Sequence, residues 1–161
     1  MLFATHLLVA ALLGRWSRLP VVPAVVGAAI PDLVDKPLAS LGVVDLFHSV
    51  GHTALLGLVV LPIVARCWGS PARRCRTAVA AAMGWASHLF LDAFHIVLNG
   101  RPGDALFVLW PVVTPPDPLA IPPGDFLVFY LGTPSFFVEI AIWVGAAGLL
   151  VHRRRRRAGA S

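Results

Sequence analysis

The sequence predicts an all-α integral membrane protein, a compact bundle of four to five helices of which one is short or re-entrant. Of its 161 residues, 58% are hydrophobic and only 13% are charged, whereas soluble domains carry about 25% charged residues. The mean hydropathy is +0.81. The length suits one domain. We therefore expect a single transmembrane domain over residues 1–152, followed by a basic cytoplasmic tail over residues 153–161.

Five apolar segments mark the helices in chain order, over residues 2–14, 21–30, 50–64, 77–98 and 126–151. The second is too short to cross a bilayer, because crossing about 30 Å of hydrocarbon at about 1.5 Å per residue takes some 20 residues. We expect this segment to be tilted, re-entrant or buried among its neighbours.

The distribution of charge orients these segments. If they alternate in direction, eleven cations fall on one side, which the positive-inside rule makes cytoplasmic. They are Arg15, Arg18, Arg66, Arg73, Arg74, Arg76 and the arginine run at 153–157. The opposite side receives Lys36, Arg101 and seven of the eight acids, namely Asp32, Asp35, Asp45, Asp92, Asp104, Asp117 and Asp125. We therefore predict a multi-pass protein of the cell (inner) membrane, with its N-terminus outside and its C-terminus in the cytoplasm.

The net charge of +5 does not indicate nucleic-acid binding, because five cations form the run at 153–157. No basic surface with interleaved aromatic residues accompanies this run. Such a run anchors a helix end on anionic lipid, at about 1 kcal/mol per basic residue. The expected partners are thus membrane lipids and a divalent metal, not nucleic acid.

Two histidine patterns indicate metal binding. His48 and His52 are four residues apart, which puts both imidazoles on one helical face, as two ligands to one ion require. His88, Asp92 and His95 have offsets of four and seven and share one stripe of an apolar helix. A buried carboxylate without a partner is costly. A cation or a proton is therefore expected beside Asp92.

The remaining ionisable residues extend this constellation. His6 lies near the outer end of the first helix, and Asp32 and Asp35 follow the second segment, three residues apart, where they could share one cation. Glu139, inside the last helix, is either a ligand or an acid that hydrogen-bonds a ligand. The topology brings most of these groups to one face, with His88 deeper, so we expect a pocket sunk into the membrane and open outwards. Mixed histidine and carboxylate donors suit Zn²⁺, Mn²⁺ or Fe²⁺ better than Ca²⁺.

Several short pieces occur in a fixed order along the chain. They are Thr5-His6-Leu7-Leu8, residues 27–32 (GAAIPD), Gly51-His52-Thr53, residues 84–92 (GWASHLFLD) and Leu109-Trp110-Pro111. With these pieces the chain resembles the membrane-bound metal-dependent hydrolases, the YdjM-like inner-membrane proteins, over residues 1–111. The family's Pro-Asp-x-Asp-His differs here, because the second acid, Asp35, comes one residue later and Lys36 replaces the histidine. The family's His-Arg-Gly-x-x-His is one residue shorter here and reads His48-Ser-Val-Gly-His52.

The resemblance implies a metal-dependent hydrolase. A metal held by histidine and aspartate would lower the pKa of bound water to about 7 and deliver hydroxide to an ester. We expect Zn²⁺ or Mn²⁺ as the ion. The predicted ligands are His6, Asp32, His52, His88 and Asp92, with His48 and Glu139 as possible additional ones. Asp32 or Asp35 could bind a second ion or act as general base, and His95 is the predicted general acid.

A cavity open to the outer leaflet favours a lipid, a phosphoester or a cell-envelope precursor as substrate. Lys36 and Arg101 either attract a substrate phosphate or balance Asp35 and Asp104. The alternative function is a non-enzymatic metal carrier or sensor, although transport requires ligands near the midplane that are reached from both sides. A structural or partner-binding membrane protein is a third alternative, and it leaves the polar stripe unexplained.

Overall fold

The computed structural model describes residues 1–44, 47–68, 70–115 and 123–159, and these ranges contain helices and no strands, which confirms the all-α prediction. Asp45 and Asp117, two of the acids used to orient the chain, lie outside the described residues. The helices are α1 (Phe3–Trp16), α2 (Val21–Ser40), α3 (Ala54–Trp68), α4 (Arg74–Leu98), α5 (Pro123–Tyr130) and α6 (Pro134–Ala158), with 3₁₀ segments at Pro71–Arg73 and Pro102–Leu109.

The second helix is longer than predicted. α2 contains 20 residues and continues through Pro31 and Pro37 to Ser40, so at about 1.5 Å per residue it is about 30 Å long. The predicted segment ended at residue 30, where the apolar run ends. A helix that continues past this point contains Pro31, which removes a hydrogen bond and clashes inside a helix. The helix persists because Gly27, Ala28, Pro31 and Asp32 are buried against the rest of the bundle. The predicted end of this segment at residue 30 was therefore wrong, whereas its burial among neighbouring helices, one of the three arrangements expected, is observed.

The last predicted helix is divided into two. α5 ends at Tyr130 and α6 begins at Pro134, with Gly132 between them at a φ of +80°, a conformation that glycine adopts readily. The side chain of Thr133 caps α6 by accepting a hydrogen bond from the Phe136 amide, and proline suits the first turn that follows. The described ranges therefore hold six α-helices where four or five were predicted. α6 continues through the arginine run as far as Ala158.

The centre of the fold is a close crossing of α2 and α4. A Cβ atom on Gly84 would lie 1.8 Å from the Ala24 carbonyl oxygen, and one on Gly27 would lie 2.1 Å from the Ala81 carbonyl oxygen. Small residues allow helix backbones to approach in this way. α1 packs on both α2 and α4, and α3 packs on α4. The crossing brings the acidic half of α2 beside the polar stripe of α4.

Two helical stretches are long and apolar enough to cross a membrane, Pro71–Leu98, which includes α4, and Pro134–Ala158, which is α6. Length and composition alone define them. They differ in burial, since α4 lies at the centre of the bundle, whereas the buried residues of α6 are Ser135, Glu139 and Ala146. α6 therefore leaves most of its surface exposed outside the bundle.

Candidate metal centre

One carboxylate, Asp92 of α4, lies at the centre of a histidine cluster. Its Oδ1 atom is 3.1 Å from His6 Nε2 and 3.2 Å from the N-terminal nitrogen of Met1. Its Oδ2 atom is 3.1 Å from His88 Nε2, 3.5 Å from His52 Nε2 and 3.6 Å from His48 Nε2. Asp92 is 4% exposed. Four imidazoles from three different parts of the chain thus converge on one buried carboxylate, as the sequence predicted for His6, His52, His88 and Asp92.

The second acid of the cluster is Asp32 of α2. Its Oδ1 atom lies 3.5 Å from His52 Nε2 and 3.9 Å from His88 Nε2. Its Oδ2 atom accepts a hydrogen bond from Lys36 Nζ at 2.6 Å. One oxygen therefore faces the imidazoles and the other is neutralised by lysine. The predicted partner of Lys36 was Asp35, and the structure replaces it with Asp32, because residues four apart share a helix face.

Asp35 lies behind His52. Its carboxylate accepts hydrogen bonds from the Ser49 and Gly51 amides, both at 2.6 Å, and lies 2.7 Å from His52 Nδ1. This arrangement holds the proton on Nδ1 and leaves Nε2 as the ligand atom, as carboxylates do behind metal-binding histidines. Both oxygens of Asp35 are engaged by these donors, which does not fit the predicted general base.

The rings of His6 and His88 stack on each other, with centroids 3.9 Å apart and planes inclined by 22°. Their Nε2 atoms both face Asp92. Their Nδ1 atoms are buried and have no hydrogen-bond partner among the described residues. His88 Nε2 also lies 3.1 Å from His52 Nε2. Three imidazole nitrogens thus point into one small volume.

This arrangement fits a metal ion. Three triplets of donor atoms each lie within 4.8 Å of one another, and they are His6, His88 and Asp92; Asp32, His52 and His88; and His48, His52 and Asp92. Zinc–nitrogen bonds are about 2.0–2.1 Å, so two ligands of one ion lie roughly 3–4 Å apart. The individual donor–donor distances given above, from 3.1 to 3.9 Å, fall in this range. The buried histidine and aspartate groups can therefore hold a metal ion.

The electrostatics of the loop before α3 favour positive charge. Burial lowers the pKa of the His52 imidazole, but the carboxylates of Asp32, Asp35 and Asp92 outweigh this effect and raise the pKa to about 10. A proton or a metal ion on this ring is therefore stabilised by its surroundings.

A cavity of about 540 Å³ opens onto the cluster. Asp32, His48 and Asp92 contribute to its wall, together with three other residues predicted for the site, Lys36, His95 and Arg101. Much of the remaining lining is apolar, including Phe47, Phe107, Phe126 and Phe129. Arg101 forms an ion pair with Asp104, the balancing role considered from the sequence. His95 Nδ1 lies 2.7 Å from Ser135 Oγ.

Glu139 belongs to a different cluster. Its carboxylate accepts hydrogen bonds from the hydroxyls of Thr5 and Tyr130 and, at 3.2 Å, from the Leu2 amide. Among the described residues it is not part of a group of metal-ligating side chains. Neither role considered for Glu139 is observed among the described residues: its hydrogen-bond partners are Leu2, Thr5 and Tyr130, and only the position of Thr5 next to His6 in α1 relates it to the histidine cluster. Sequence reasoning missed Thr5, Tyr130, Ser49 and Ser135, whose hydroxyls carry no recognisable spacing.

In comparisons with known proteins, no family model, curated protein or solved structure matches this chain. The likeness to the YdjM-like hydrolases therefore stays a prediction from the ordered sequence pieces. Function has to be argued from the site itself rather than from the fold.

Proposed function

We propose that this chain is an integral membrane metal-dependent hydrolase of the YdjM-like family that acts on a lipid, a phosphoester or an envelope-linked ester. The observation that carries the proposal is the buried histidine and aspartate cluster at the wall of a largely apolar cavity. Buried carboxylates and imidazoles are costly unless they are paired or bind a cation. Their presence beside a cavity large enough for a ligand is typical of an active site.

Membrane insertion is supported by the apolar residues on the outside of the bundle. Large hydrophobic side chains are exposed along α3 and α6. A water-soluble monomer, in contrast, rarely exposes a large contiguous apolar patch. They include Leu55, Leu58, Val59 and Ile63 on α3, and Phe137, Ile140, Trp143, Val144, Leu149 and Leu150 on α6. Contact with lipid acyl chains accounts for both surfaces.

The proposed orientation puts the cavity outside and the arginines inside. Arg76 donates a hydrogen bond to the Arg18 carbonyl oxygen, so the C-terminal end of α1 and the N-terminal end of α4 meet at one end of the bundle, far along α4 from Asp92. Labelling of the two exposed native cysteines, Cys67 and Cys75, tests this orientation. A membrane-impermeant maleimide should leave them unlabelled in intact cells but should label Ser40→Cys in a variant without native cysteines. The reverse pattern contradicts the orientation.

In the proposed mechanism His6, His52, His88, Asp92 and Asp32 would hold the ion, Zn²⁺ or Mn²⁺. A divalent ion there would activate water at neutral pH and polarise an ester or phosphoryl oxygen. Asp35 keeps Nε2 of His52 available as a ligand by holding the proton on Nδ1, so its role is positioning.

The other cavity residues bind and protonate the substrate. Lys36 and Arg101 lie on the cavity wall, where each neutralises an acid and brings positive charge towards a phosphate or carboxylate group of the substrate. The apolar lining suits an acyl or prenyl chain. His95 serves as general acid, because it lines the same cavity and its Nδ1 atom is held at Ser135, which leaves Nε2 to give a proton to the leaving group.

The proposal is tested on the full chain, purified in detergent and reconstituted in vesicles. Metal content is measured, and hydrolysis of nitrophenyl phosphate mono- and diesters, nitrophenyl acyl esters and phospholipids is followed with and without a chelator. We expect bound metal, hydrolysis of at least one class and its loss on chelation. His95→Gln should keep the metal and lower kcat, whereas His152→Gln, on the arginine-rich end of α6, should change neither. Metal uptake into vesicles without hydrolysis contradicts the proposal and supports the carrier alternative.

A further inference from the structure

We infer that the cluster binds two metal ions bridged by the carboxylate of Asp92, an inference that rests on the proposed metal-binding function and adds the number and arrangement of the ions. The first observation is that the two oxygens of Asp92 face different ligands. Oδ1 faces His6 and the N-terminal nitrogen of Met1, whereas Oδ2 faces His48, His52 and His88. Each oxygen thus faces at least one imidazole, which is the geometry of a carboxylate that bridges two ions.

The second observation is that His6 and His48 belong to different groups of donor atoms. Among the described residues His6 shares a triplet with His88 and Asp92, and it shares none with His48, His52 or Asp32. A second triplet contains His48, His52 and Asp92. These two triplets have Asp92 in common, and the third triplet, Asp32, His52 and His88, lies between them because it shares one histidine with each. Ions in two-metal hydrolytic sites lie about 3.5–4 Å apart, a separation that one carboxylate can span.

The third observation is the number of ligands. The three triplets contain six different side chains, whereas a catalytic zinc ion takes roughly three protein ligands and keeps one position open. Six side chains around one ion would leave no position for water or substrate. If the six side chains are shared between two ions, each ion keeps an open coordination position for water or substrate.

The two ion positions differ in their access to the cavity. His48, Asp32 and Asp92 line the cavity, and the His48 side chain is 36% exposed. His6 and His88 are buried beneath them, at 1% and 0% exposure. We therefore expect the ion at His6 and His88 to be retained more tightly, and the ion at His48 and His52 to exchange with solvent and to meet the substrate.

The experiment is a Mn²⁺ titration of the metal-stripped full chain in detergent, followed by metal analysis and electron paramagnetic resonance. The wild type should saturate at about two ions per chain and give the spectrum of an exchange-coupled pair. His48→Ala and His6→Ala should each retain about one ion with the signal of isolated Mn²⁺. His152→Ala, which removes a histidine outside the cluster, should behave as the wild type.

Saturation of the wild type at one ion per chain overturns the inference, as do two ions without exchange coupling. The wild-type measurement decides the matter even if His6→Ala fails to fold. The hydrolysis assays separate this inference from the proposed function. Hydrolysis by a protein that binds one ion per chain overturns the two-ion inference and supports the proposed hydrolase function. A coupled pair of ions without hydrolysis supports the two-ion inference and overturns the hydrolase function.

Discussion

Asp92 and Glu139 are both carboxylates buried in long apolar helices, at 4% and 3% exposure, yet their surroundings differ in kind. Glu139 receives the hydroxyls of Thr5 and Tyr130 and a backbone N–H, which are donors in every protonation state near neutral pH. Asp92 accepts one hydrogen bond from the N-terminal ammonium of Met1, but its other contacts are imidazole nitrogens. Such a nitrogen is a donor only when it carries a proton and is a ligand when it does not.

This difference decides what each acid needs. Fixed donors satisfy a buried carboxylate by hydrogen bonding alone, so Glu139 can join α1, α5 and α6 without any bound ion. The imidazoles around Asp92 can instead share a cation with it. A carboxylate inside an apolar helix is therefore not by itself a sign of a metal site, and the chemistry of its partners has to be known.

The strongest test of the comparison is Asp92→Asn, which keeps the shape and removes the charge. We expect metal affinity to fall by more than about 100-fold, because even residues that only orient ligands contribute 10–100-fold. Hydrolysis should be lost, while the circular dichroism spectrum stays helical. Asp125→Asn, an exposed acid at the start of α5, is the matched control. Full metal content in Asp92→Asn would show that Asp92 is not a ligand.

Asp35→Asn should have the next largest effect. The amide can no longer hold the proton on His52 Nδ1 as a carboxylate does, so we expect metal affinity to fall by about 10–100-fold. Measurement by competition with a metal-binding dye detects such a change, and a purely structural role would lower the unfolding temperature without changing affinity in the folded protein. Unchanged affinity would contradict the positioning role of Asp35.

Glu139→Gln should have the opposite effects to those expected for Asp92→Asn, namely a loss of stability with the metal retained. The free energy of unfolding should fall by about 1–3 kcal/mol, because the hydroxyls of Thr5 and Tyr130 lose a charged acceptor. Metal content should stay within about twofold of the wild type. Thermal melts and metal analysis of the same preparations measure both quantities. Loss of metal with an unchanged melting temperature would contradict this prediction and would show that Glu139 belongs to the metal site.

Thr5→Val should have the smallest effect on stability, and it tests whether the Glu139 cluster and the histidine cluster around Asp92 are coupled. The substitution removes one donor to Glu139 and the acceptor of the Trp143 indole N–H, for a loss of about 1 kcal/mol. Because Thr5 adjoins His6, metal affinity reports whether the clusters are coupled. We expect no change in affinity, measured by dye competition, and a tenfold loss would show that the Glu139 cluster supports the ligand His6.

Part of the site followed from local sequence patterns. His88 and Asp92 share one face of α4 because they are four residues apart in a helix. The alternating direction of the predicted segments brings His6, Asp32 and His52 to the same end of the bundle as Asp92. The course of α2 past Pro31 could not be predicted in this way, because its prolines are local breakers and only the packing of Gly27 and Gly84 at the crossing with α4 overrides them.

The sequence by itself determined the helical class and the residue types available to a metal, because hydropathy and periodicity are properties of neighbouring residues. The tertiary structure decided the role of each acid, because the partners lie far apart in the chain. Asp35 meets the ring of His52 across 17 positions, and Glu139 meets the Leu2 amide across 137. A carboxylate becomes a ligand, a positioning group or a structural acceptor through the donors that folding brings to it.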